Sequence, residues 1–174
     1  MRLHDGWWTV AAAAVAACAG LVACAWISTH IDVDPALHTA ALFVHLASLV
    51  LGFGAVLVAD YYGLLWMTRR CTLHEALGAT SRLHLPIWAG LGGLIVSGVM
   101  LEPKLSSALT CVKLALVLLL TVNGLQAGLL NQRMAQHGPT ALTPRLLAWG
   151  AGTALVSQIC WWGAVVIGFH NSQH

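Results

Sequence analysis

Apolar runs of about twenty residues recur five times along this chain, and few charges interrupt them. A chain crossing hydrocarbon has no water to satisfy its peptide groups, and a helix satisfies them within itself. Only 8% of the 174 residues are charged and 59% are hydrophobic, against about 25% charged in a soluble domain. The sequence therefore reads as an integral membrane protein. The predicted fold is all-α: a helical membrane bundle of five transmembrane helices in a single domain, residues 1–174. The expected spans are about Trp7 to Thr29, Ala36 to Trp66, His84 to Leu101, Ala108 to Leu130 and Pro144 to Phe169. The second exceeds a core of about 30 Å, so it should tilt or protrude. The first has a longer apolar stretch than a cleaved leader, and only Arg2 precedes it, so a retained helix is expected.

Loop charges set the expected orientation. Arg2, Arg69, Arg70, Arg82, Arg133 and Arg145 fall on one side, and Lys104 alone on the other, with Asp32, Asp34 and Glu102. The positive-inside rule then puts the N-terminus in the cytoplasm and the C-terminus outside. The net charge of +2 reflects topology, and no nucleic-acid partner is expected. Cys18, Cys24, Cys71, Cys111 and Cys160 form no CxxC pair, which argues against a disulfide framework or structural zinc. No Gly-rich phosphate loop, GxSxG or HExxH is present. Residues 67–81, "MTRRCTLHEALGATS", are expected to form a short interfacial helix, and "NQRMAQHGPTALT" a polar connection.

The second span carries titratable groups where hydrocarbon makes them costly. His38 and His45 are seven residues apart, so they share a helix face and differ in height by about 10 Å. The seam continues through Ser48, Gly52, Ala55 and Ala59, all small. Two readings stay open. Small residues at this spacing permit close helix packing, with histidine bonding across the seam. The same trough could seat a planar cofactor, with His45 as its axial or metal ligand, Gly52 making room for the ring and His38 nearer the outer interface. Lys113 on the fourth span could snorkel outward, or reach the His45 level as a propionate partner, ligand or proton carrier. Asp60 is expected to pair with Arg82, and a His45–His84 sandwich is excluded by depth. His30, Asp32, Asp34, His38, His170 and His174 collect on the outer surface, where they could take copper or zinc.

"HLASLVLGFGAVLVADYYGLLW", with Arg82-Leu83, Ser97-Gly98 and Lys113 ahead of "LALVLLLTVNG", resembles a group of small bacterial membrane proteins. The group includes HemJ-type protoporphyrinogen oxidases, CopD-type copper-resistance domains and uncharacterised families. The similarity spans about Ala36 to Leu130. It implies a bacterial inner-membrane location, haem b bound at His45, and Lys113 as a catalytic and cofactor-binding residue. The second histidine of those oxidases falls here near Asn123 or Gly124, and their arginine at the end of the His helix is matched by Asp60.

Function is therefore expected in one of three classes. The first is a haem b- or porphyrin-binding protein in electron transfer or porphyrin oxidation, alone or with a membrane redox partner. The second is a copper or other metal transport and homeostasis protein. The third is a structural subunit, including a homo-oligomeric one. The lipid bilayer is a partner in all three.

Overall fold

The computed structural model describes residues 3–103, 105–137 and 143–171. Arg2, Lys104 and His174, used above for topology and the outer surface, lie outside the described residues. Five helices follow one another: α1 (Leu3–Ser28), α2 (Pro35–Met67), α3 (Leu73–Met100), α4 (Ala108–His137) and α5 (Pro144–Asn171). Each is long and apolar enough to cross a membrane. The fold is thus an all-helical, multi-pass membrane bundle. Large side chains such as Phe43, Val50, Leu85 and Val166 point outward, as lipid-facing surfaces do, since a bilayer gives apolar groups no reason to hide.

Helix ends are set by local chemistry. Asp34 caps α2, its carboxylate accepting from Ala36 N (2.9 Å) and Leu37 N (3.0 Å), with Pro35 at the first helical position. The α2 to α3 connection is a tight turn, not the expected interfacial helix. Arg69 takes the left-handed conformation (φ 60°). Arg70 N donates to Leu65 O and Arg69 N to Trp66 O, the paired bonds that close a helix at such a residue.

Helix α3 then starts at Leu73 rather than at the expected His84. Thr72 and Glu75 form a reciprocal capping box, Thr72 N donating to Glu75 Oε2 at 2.7 Å. Pro86 sits inside this helix. It lacks an N–H and so only frees the Arg82 carbonyl. Helix α4 runs past the expected end at Leu130 to His137, because Leu130 and Met134, one turn apart, bury against Leu73.

Helices α2 and α3 form one close pair and α4 and α5 another, with α1 lying against α4 and α3. The seam between α2 and α3 is the small-residue stripe. A Cβ on Gly90 would run into the Gly52 backbone, and one on Gly52 would meet Trp161 Cη2 at 3.1 Å. Between the pairs, Val56, Leu91, Leu120, Cys160 and Trp161 make the central core.

Candidate functional site

His45 is partly buried, and its partner comes from α3. Its Nδ1 lies 2.9 Å from Ser97 Oγ. Ser97 is almost fully buried, and its hydroxyl stands 2.5 Å from the Gly93 carbonyl oxygen, which can only accept. The single hydroxyl proton therefore points at Gly93. The hydroxyl oxygen is left to accept from His45, so Nδ1 carries the proton. In the neutral imidazole the lone pair is then on Nε2, the tautomer a ligating or proton-accepting histidine needs.

The other elements converge on the same level. Gly98 faces the ring: a Cβ there would stand in ordinary contact, 3.7 Å from His45 Cε1. Lys113 of α4 is close enough to interact electrostatically with the imidazole. Its Nζ lies where a Cβ on Gly168 of α5 would be 3.8 Å away. All four helices of the two pairs thus contribute: His45 from α2, Ser97 and Gly98 from α3, Lys113 from α4 and Gly168 from α5.

His45 and Lys113 lie near enough to interact electrostatically, toward the end of the bundle where α2 begins. His45 is about 15 Å along α2 at 1.5 Å per residue, but Ser97 and Gly168 fall in the last turn of α3 and α5. Helix α2 thus extends beyond the end of α3 on this side.

Three expected placements need correction. Gly52 does not floor an open trough: α3 fills the seam there, and Gly52 lets the Gly90 backbone approach. A planar ring has no space at that level between α2 and α3. His38 is exposed on the first turns of α2 and stays apart from the His45 cluster. Asp60 does not pair with Arg82, which is exposed. It accepts a hydrogen bond from Gln158 Nε2 at 2.6 Å. A neutral amide takes the place of the expected cation and supplies no counter-charge.

The outer set does not gather into a metal centre. His30 stacks on Trp26, with Nδ1 2.8 Å from the Trp26 carbonyl, and Asp34 serves as a helix cap. Among the described residues no three His, Cys, Asp or Glu side chains come together as a metal-binding group. In the sequence Ser97 stood out only as part of the Ser97-Gly98 pair of the resemblance. Its role needs the register of α3 against α2, which no pattern within one helix specifies. The chain matches no family model, no curated protein and no solved structure.

Proposed function

We propose that the protein binds haem b or a porphyrin at the His45 level of the bundle, and serves in electron transfer or porphyrin oxidation. The observation that carries this reading is the Ser97 hydrogen bond, which places the proton on Nδ1 and the lone pair of the neutral imidazole on Nε2. The donor set fits one axial imidazole with a neighbouring cation, the arrangement a ring carrying anionic propionates would need. Such a ring would lie between the two helix pairs, because the α2–α3 seam is closed. When bound, haem would supply a one-electron iron centre. The residues here would ligate, orient and hold a positive charge beside it. The resemblance of Ala36 to Leu130 to the HemJ and CopD group supports the same residues. The copper alternative draws no comparable support from the outer histidines and aspartates.

The test is the spectrum of the purified, full-length protein. A Soret band that sharpens and splits in the visible on reduction is expected, and a colourless preparation from haem-replete cells would overturn the reading. Lys113 should then modulate that spectrum. Arginine keeps the charge but has no free lone pair and stays protonated. Lys113→Arg is expected to insert and fold yet shift the haem bands or midpoint potential, and Lys113→Met to do so more strongly. Unchanged spectra in both variants would reduce Lys113 to a snorkelling side chain.

We further propose a bacterial inner-membrane location with the N-terminus in the cytoplasm. The basic turn at Arg69 and Arg70 would face inward. A periplasmic-activity reporter fused after Arg70 should be silent, and one fused after His174 active. The opposite pattern would invert the topology.

A further inference from the structure

A second polar site lies at the other end of the same four helices. Between the two pairs, below the central core, is a cavity of about 270 Å³. Three indoles line it, Trp66, Trp88 and Trp161, and one carboxyl, Asp60. No lysine or arginine lines it, and the other titratable group in its wall is His84.

Asp60 is held in a fixed orientation. Trp162 Nε1 can only donate, and it donates to Gln158 Oε1 at 3.0 Å. That settles the Gln158 amide, whose Nε2 donates to Asp60 Oδ2 at 2.6 Å. One carboxyl oxygen is thereby engaged, and the group still lines the cavity without a cationic partner. Two further polar atoms of the wall are buried with no hydrogen-bond partner: Asn131 Oδ1 and Trp161 Nε1. Trp161 is only 2% exposed. Buried polar atoms without partners are rare, and each needs a reason. A positioned carboxylate, an unpaired acceptor and aromatic faces together suit a cation with an apolar body, because indole faces and a carboxylate both attract positive charge.

We infer that this cavity is a binding site for a small amphipathic organic cation, an aromatic or aliphatic body bearing a protonated amine, whose ammonium group is taken by Asp60. Anions have no counter-charge there. A neutral apolar ligand would leave Asp60 without a counter-charge and Asn131 Oδ1 without a donor. The volume admits a ligand of roughly ten non-hydrogen atoms, since one water occupies about 30 Å³ in the liquid.

The test uses the full-length protein in detergent and two probes of one shape, phenethylammonium and uncharged 2-phenylethanol, followed by calorimetry. Phenethylammonium is expected to bind saturably, and at least tenfold more tightly than 2-phenylethanol. Asp60→Asn keeps an acceptor for Gln158 and should weaken the cation at least tenfold while leaving the alcohol unchanged. Asp32→Asn, an exposed position, should change neither. Ala127→Phe places a ring in the cavity and should abolish binding of both. Absence of saturable cation binding, equal affinity for the two probes, or full affinity in Asp60→Asn would each overturn the assignment. If a variant aggregates, the comparison of the two probes on the unsubstituted protein decides alone.

Discussion

His45→Ala is expected to fold, insert and lose most of its bound haem, while His84→Ala keeps it. The asymmetry follows from placement. His45 bonds Ser97 through Nδ1, beside Gly98, and interacts electrostatically with Lys113, which lies next to Gly168. His84 lines the cavity at the other end, against Gly128. Ser97→Ala supplies the intermediate case. It removes the group that fixes the His45 tautomer without removing the ligand. Loss of such a supporting bond typically costs about 10- to 100-fold in affinity, so haem should bind but dissociate readily. Pyridine haemochrome content per mole of protein measures all three. Equal haem in His45→Ala and His84→Ala would leave the imidazole a packing residue.

The second large effect concerns stability. Gly90→Ala places a methyl group against the Gly52 Cα and N and the Ser48 carbonyl, all backbone atoms that cannot swing aside. Overpacking of this kind costs about 1–3 kcal/mol, and backbone contact puts it at the upper end. Alanine regains about 1 kcal/mol of helix propensity over glycine, so a net loss of about 2 kcal/mol is expected. Gly92→Ala, one turn face away, meets nothing within 4 Å and should be neutral or slightly stabilising. Gly93→Ala meets Ser48 Oγ, which can rotate away, and Ser48 Cβ at 3.0 Å, which cannot, and should fall between. Reversible unfolding in mixed micelles at increasing dodecyl sulfate fraction ranks the three. A Gly90→Ala protein as stable as Gly92→Ala would mean that α2 and α3 do not approach through these glycines.

Much of this molecule is written in hydropathy, which acts residue by residue. Five spans, and the small-residue face of α2, follow from apolar length and helical period, because a bilayer imposes both on any crossing chain. One boundary signal was also local: Thr72-x-x-Glu75 marks the start of α3. The choice of partner across each seam was not local. The same small stripe suits a flat ring or another helix, and only the packing of α3 showed that Gly90 fills it. Asp60 needed something polar, and Gln158 from α5, 98 positions away, supplies it in place of nearby Arg82. The tautomer of His45 depends on Ser97, 52 positions on. Helix register and relative protrusion set these pairings. They are decided by how whole side-chain surfaces interlock, so they belong to the tertiary structure and leave no trace in the pattern of any single span.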